Sequence, residues 1–318
     1  MRSKLILGVA ALVVAALGLA GCAPASHTTS QAASASPSPT TACDPRATPP
    51  PPPDRPERTV TVGTIPRTFL LHVPDDYTSK RPVPLILAFH GHGSSPEQLE
   101  EFSGLDESDA IVAYPQGTVY DGQAAWQSAP YADGADDVSF AQELIEMLTH
   151  QYCVRGVFAT GISNGGGLVS LLMCALPDTI DAFAVVAGAV YPASAPCRRT
   201  QPVPVIEFHG TADPVIDYNG GMSHGAAYSS TPDWLAKTAQ VNGCTGQEQA
   251  SIPPDVSRTT WTGCAPGGDV VAYAIEGGGH TWPGAAKPSG PGAVTQTISA
   301  TDLMLAFFTG YAGRVPQP

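Results

Sequence analysis

Gly161-Ile162-Ser163-Asn164-Gly165 is the segment that most restricts the fold of this chain. Before it, Val157-Phe158-Ala159-Thr160 is a short apolar run of strand type. After it, Gly166 to Leu176 is apolar and compatible with a helix. A serine framed by glycines between a strand and a helix has the form of a nucleophile elbow. In that sharp turn the backbone is strained and the helix packs close behind the strand. The pentapeptide alone says little in a chain with 33 glycines; its strand–turn–helix setting says more.

Other apolar runs are spaced as such a fold requires. Arg58 to Val62 and Thr68 to Val73 read as two antiparallel strands around Gly63-Thr64-Ile65-Pro66. Leu85 to Phe89, Ala110 to Tyr114, Asp181 to Ala187, Val203 to Phe208 and Val270 to Ile275 are short and apolar, as buried parallel strands are. Helical segments fall between them: one opened by Ser95-Pro96-Glu97, then Asp136 to Gln151, Pro232 to Val241, and a last one containing Leu303 to Phe308. Alternation of this kind predicts an α/β fold, a mainly parallel central sheet with helices on both faces. The predicted domain covers residues 59–314.

What precedes it reads differently. Residues 1–21 have the form of an export signal, with Arg2 and Lys4 ahead of an apolar stretch from Leu5 to Leu17. Leu19-Ala20-Gly21-Cys22 resembles a bacterial lipobox, which makes Cys22 the expected lipidation site; the alternative is a retained membrane anchor. Residues 22–58 carry Ala, Ser, Thr and a run from Pro49 to Pro53, a composition that cannot bury a core. As an extended linker it could reach roughly 100 Å at about 3.1 Å per residue. The protein is therefore expected to be exported and either held at the outer face of the cell membrane by lipid or secreted.

The formal charge of −13 argues against a nucleic-acid partner and against attraction to anionic lipid. Seven cysteines are present. Setting Cys22 aside leaves Cys43, Cys153, Cys174, Cys197, Cys244 and Cys264, an even set that in an exported chain predicts disulfides. Fifteen pairings are possible; the order of elements points to Cys174–Cys197, Cys244–Cys264 and Cys43–Cys153. No C-x-x-C occurs, and neither a metal nor a cofactor is expected.

A serine hydroxyl needs a base to accept its proton and a third group to orient that base. In an α/β-hydrolase these follow in the order serine, acid, histidine, each after a strand. Ser163, Asp213 and His280 have that order and those positions. Asp217 is a rival acid on the same loop, and His224 a rival base in a Gly/Ser-rich loop. The backbone N–H groups of Asn164 and of His92, in His90-Gly91-His92-Gly93, are the expected oxyanion donors. His90 and His92 could instead form half a metal site, although no carboxylate or cysteine stands at ligand spacing. Trp126, Tyr218 and Trp282 are candidate substrate-binding aromatics.

Several blocks together resemble one family. They are Leu71-His72-Val73-Pro74, Ala113-Tyr114-Pro115-Gln116-Gly117, Trp126-Gln127, Ser163-Asn164-Gly165-Gly166-Gly167, Phe208-His209-Gly210-Thr211-Ala212-Asp213 and Gly279-His280-Thr281-Trp282-Pro283. In this order they are similar to feruloyl esterases, which stand with secreted polyhydroxybutyrate depolymerase-like and acetylxylan-esterase-like hydrolases. The resemblance spans about Thr59 to Ala312 and implies Ser163 as nucleophile, Asp213 as acid and His280 as base. It also implies hydrolysis of hydroxycinnamoyl esters of plant cell-wall polysaccharide; separately, a monomer is expected. Short-chain polyhydroxyalkanoate or acetyl esters are the alternative substrates. A reading of another class is a non-catalytic envelope lipoprotein built on a hydrolase scaffold.

Overall fold

The structure is a computed structural model, described here for residues 57–132 and 134–313. The export signal, Cys22 and nearly all of the linker lie outside the described residues. Along the chain run β1 (Arg58–Val62), β2 (Ile65–His72), β3 (Val83–Phe89), α1 (Pro96–Ser103) and β4 (Ile111–Pro115). Next come β5 (Thr118–Tyr120), β6 (Gln123–Ala125), α2 (Asp137–Gln151), β7 (Val154–Ile162), α3 (Asn164–Ala175) and β8 (Ala182–Val186). Then follow β9 (Val205–Gly210), β10 (Gly221–Ser223), β11 (Ala226–Tyr228) and α4 (Thr231–Val241). The last elements are β12 (Gly246–Ile252), β13 (Val256–Thr262), β14 (Val270–Ile275) and α5 (Ala300–Thr309).

Among the described residues, ten strands form one sheet in the order β1-β2-β4-β3-β7-β8-β9-β14-β13-β12. From β4 to β14 every neighbouring pair is parallel. At each end the pairing turns antiparallel, through β2 and β1 on one side and β13 and β12 on the other. Strand alternation divides the core into two layers. Leu85, Leu87 and Phe89 of β3 face a layer that includes Phe140, Leu144 and Leu148 of α2, Leu168 and Leu172 of α3, and Leu235 of α4. Ile86 and Ala88 face the other layer, with Leu99 and Phe102 of α1 and Met304 and Phe308 of α5. Helices thus cover both faces, as the alternating apolar runs predict.

The sequence reading missed the hairpin of β12 and β13. Gly246 to Gln249 and on to Ser251 are exposed along β12, so no apolar alternation marks that strand. It also missed the two short hairpins, β5–β6 and β10–β11. The first turn is tighter than expected, because Val62 pairs directly with Ile65 across Gly63-Thr64.

Helix starts follow local chemistry. The hydroxyl of Ser95 accepts from Gln98 N, that of Ser230 from Asp233 N, that of Ser299 from Asp302 N, and the carboxylate of Asp136 from Ser139 N. α3 is the exception: Ser163 holds its N-cap position and makes no side-chain cap bond. Its hydroxyl is left uncommitted at the helix start.

Cys174–Cys197 and Cys244–Cys264 are disulfides, as the order of elements suggests. The remaining expected pair involves Cys43, which lies outside the described residues. Cys244–Cys264 ties the end of α4 to the far side of the β12–β13 hairpin, across a separation of 20 residues. Replacing both cysteines by serine is expected to lower unfolding free energy by about 3 kcal/mol, because the unfolded chain regains the freedom of that loop. A lower urea midpoint, with the fold unchanged by circular dichroism, is the measurement.

Candidate active site

Ser163 sits between β7 and α3 with φ 58° and ψ −120°, a left-handed conformation that a side chain rarely adopts. The strain is held by three backbone bonds. Ser163 N donates to Val186 O, and its carbonyl accepts from Gly167 N and Ala189 N, each at 2.9 Å. The flanking glycines have a steric cause. A Cβ on Gly165 would stand 2.1 Å from Phe89 O, and one on Gly161 would stand 2.6 Å from the Gly165 carbonyl carbon. Only bare backbone lets α3 begin this close to the end of β3.

Because β7, β8, β9 and β14 are parallel, the loops that leave them open at one edge of the sheet. Asp213 follows β9 and His280 follows β14. His280 Nδ1 lies 2.7 Å from Asp213 Oδ2. The other oxygen, Oδ1, accepts from Val215 N at 2.8 Å and Ile216 N at 2.9 Å. The loops meet without intervening side chains. A Cβ on Gly210 would stand 2.2 Å from Gly278 O, and one on Gly290 would stand 1.9 Å from His280 O. Among the described residues the ring of His280 hydrogen-bonds to Asp213, and none of its bonds reaches Ser163 Oγ.

The rivals are placed elsewhere. Asp217 Oδ1 accepts from Asn219 N at 2.8 Å, the bond of an exposed turn. His224 is exposed at the tip of the β10–β11 hairpin. There its ring lies 4.4 Å from that of Tyr131 and 5.8 Å from that of His92.

The loop after β3 runs beside the serine: a Cβ on Gly91 would be 3.4 Å from Ser163 Cβ. His90 fixes this loop from below. Its Nδ1 faces Gly91 O at 2.7 Å, and its Nε2 accepts from Gly117 N at 3.0 Å. With both nitrogens engaged inside the protein, His90 has no lone pair to offer a metal. Burial pushes its pKa down to about 4, so the ring is neutral at ordinary pH. Asn164 secures the opposite wall, where its Oδ1 accepts from Trp126 N at 2.7 Å and its Nδ2 donates to Trp126 O at 3.2 Å. Its backbone N–H belongs to the first turn of α3, where helix donors lack intrahelical acceptors.

Two expected substrate contacts need correction. Trp126 is 0% exposed and donates from Nε1 to His90 O at 2.8 Å. Trp282 is 1% exposed and donates from Nε1 to Thr301 Oγ1 at 2.9 Å. Each indole is enclosed with its N–H satisfied, so both brace the site instead of lining it. Tyr218 is half-buried, its ring 5.7 Å from that of His209. The half-buried rings of His92 and Tyr131, 4.3 Å apart, are the aromatics beside the serine loop.

Sequence reasoning gave no role to a buried polar pair. Glu207 and His209, each 1% exposed, lie on the same side of β9. His209 Nδ1 is 3.1 Å from Glu207 Oε1, and its Nε2 is 3.3 Å from Asp213 Oδ2. Their signal was two ionisable residues at i and i+2 in an otherwise apolar strand. Burial opposes the charge of Asp213, but hydrogen bonds from His209 and His280 outweigh it and hold the carboxyl well below the usual range.

The neutral state of His90 has a consequence for stability. Its folded pKa lies below the ordinary 6.5, so unfolded chains take up the proton first as pH falls. Its contribution is complete above about pH 6.5 and lost towards about pH 4. Wild type is expected to lose about 3 kcal/mol more than His90→Asn across that window. Urea midpoints of both proteins at pH 7 and pH 4 measure the difference.

Comparisons with known proteins identify the family. The family described as "Putative esterase" matches residues 64–249, more than half of the chain. Feruloyl esterase B of Piromyces equi is 30% identical over 228 residues, which are 67% of this chain and 42% of that protein. The chain thus spans less than half the length of that relative. The protein named "Putative esterase NocK" of Nocardia uniformis subsp. tsuyamanensis is 29% identical over 286 residues, 80% of this chain and 82% of the relative. The solved acetyl xylan esterase from Aspergillus awamori superposes with a TM-score of 0.56 at 16% identity, covering 80% of this chain and 99% of that one. At that identity the likeness is one of fold, and the fold is that of the α/β-hydrolases. By the matched segment and the architecture around it, the chain belongs to the esterase family.

Proposed function

We propose that this esterase hydrolyses carboxylic esters through an acyl-enzyme formed on Ser163. The observation that carries the reading is the 2.7 Å bond between Asp213 and His280 at the same sheet edge as the strained serine. His280 Nε2 takes the proton of Ser163 Oγ as that oxygen attacks the ester carbonyl. Asp213 accepts from the opposite ring nitrogen, which fixes the tautomer and stabilises the imidazolium. Charge on the carbonyl oxygen of the tetrahedral intermediate is met by the N–H groups of Asn164 and His92. The C–O bond to the alcohol then breaks, and the alcohol leaves with the proton from Nε2. Water repeats the sequence in reverse roles and releases the acid.

Hydroxycinnamoyl esters of plant polysaccharide are the proposed substrates. The name of the relative from Piromyces equi supports that choice. So do the rings of His92 and Tyr131, which offer a flat aromatic acid a face to lie against. The two disulfides support an exported protein. A lipid on Cys22 would hold it at the membrane.

A fluorophosphonate is expected to label Ser163, and Ser163→Ala is expected to lose at least about 10⁴-fold in kcat with its melting temperature kept. Turnover by the variant near the wild-type rate would mean another nucleophile. For substrate class, kcat/KM is compared for methyl ferulate, a short p-nitrophenyl ester and polyhydroxybutyrate. The methyl ferulate value is expected to be highest; a preference for either of the others rejects the hydroxycinnamoyl assignment while leaving the esterase intact.

A further inference from the structure

His209 is 1% exposed and has no part in the steps above, yet it touches the group on which they turn. Its Nε2 faces two acceptors, Ile216 O at 2.8 Å and Asp213 Oδ2 at 3.3 Å. Neither oxygen can donate while Asp213 is ionised, so Nε2 must carry a proton. Its Nδ1 faces Glu207 Oε1 at 3.1 Å and Thr231 Oγ1 at 2.9 Å. A bare nitrogen there could accept from the Thr231 hydroxyl but would set its lone pair against Glu207 Oε1, whereas a protonated one donates to either oxygen.

We propose that His209 is an imidazolium clamped between Glu207 and Asp213, a positioning residue that fixes the Asp213 carboxylate and sets the pH at which the relay begins to work. This inference rests on the assignment of Ser163, His280 and Asp213 given above. The titratable groups facing His209 are Glu207 on its own strand, Asp213 and Tyr218 on the following loop, and His280 beyond Asp213. α4 contributes the neutral hydroxyl of Thr231.

Two arguments place the proton on the ring. On His209 it lies between two carboxylates; on Glu207 it would serve one and leave Asp213 without its charged neighbour. Burial works against the charge of both partners and raises Glu207 as well, but at the ring the bonds from Asp213 and Glu207 outweigh it and raise His209 to about 10. The connectivity then closes a circuit. Ile216 N donates to Asp213 Oδ1, Ile216 O accepts from His209 Nε2, and the same ring nitrogen stands 3.3 Å from Asp213 Oδ2. The carboxylate cannot rotate without breaking one of these bonds. His209 and His280 also share one oxygen, so the cation at 209 keeps Asp213 an acceptor and tempers its hold on the imidazolium at 280.

Two experiments on the full chain test this. In protein labelled at histidine, the ring resonance that disappears in His209→Gln is expected to show both nitrogens protonated from pH 6 to pH 8.5. In the same variant, kcat for a p-nitrophenyl ester is expected to fall about tenfold with KM unchanged. The acid limb of kcat/KM is expected to move up by about one pH unit, because a neighbouring positive charge is gone. A role confined to packing would not move that limb. A ring that loses its proton between pH 6 and pH 8, or an acid limb that stays in place, overturns the inference. If His209→Gln does not fold, the same resonance assigned through-bond in wild type decides the charge. Full turnover by Ser163→Ala would instead overturn the catalytic assignment and leave the charge of His209 as measured.

Discussion

Backbone packed on backbone, where the end of β3 meets the start of α3, is the contact on which the rest depends. Phe89 O lies where a Cβ of Gly165 would be, and the same helix start crowds Gly161. No side chain larger than hydrogen can occupy those positions without moving the helix away. Held so close, the chain must turn sharply, and the turn falls on Ser163 at a positive φ. The hydroxyl therefore stands at the sheet edge, next to Gly91 and within the ring of loops that carry Asp213 and His280.

Much of this was legible because it depends on local rules. Buried parallel strands such as Leu85 to Phe89 read as continuous apolar runs, since both faces are covered. The positions of Ser163, Asp213 and His280 were legible because each ends such a run. The misreadings have physical causes too. Trp126 and Trp282 stand next to motif residues, but neighbours in sequence do not say to which side of the backbone a ring turns. Each found an acceptor for its indole N–H inside the protein. β12 was invisible because strand pairing there is driven by backbone bonds to β13, with little apolar burial to imprint a pattern. Glu207 and His209 were visible as letters only, because the meaning of a buried charge lies in its partners.

The polar groups around the site form two assemblies with different work. His90, Trp126, Asn164 and Gly117 are joined by neutral hydrogen bonds that give the serine loop one shape. Glu207, His209, Asp213 and His280 form a chain of ionisable side chains, each within 3.3 Å of the next. The first assembly can hold its form over any pH at which His90 stays neutral. In the second, Asp213 Oδ2 is the common acceptor, facing both His209 and His280.

The outermost strand has a different significance. β12 has β13 on one side and no neighbour on the other within the described sheet, so a row of backbone donors and acceptors is left for any passing chain to pair with. Its sequence, Gly-Gln-Glu-Gln-Ala-Ser-Ile, presents almost no greasy surface to reward such pairing. Glu248 adds a charge that two copies laid side by side would repel. A strand so poor in aliphatic residues offers little reward for edge-to-edge pairing between copies.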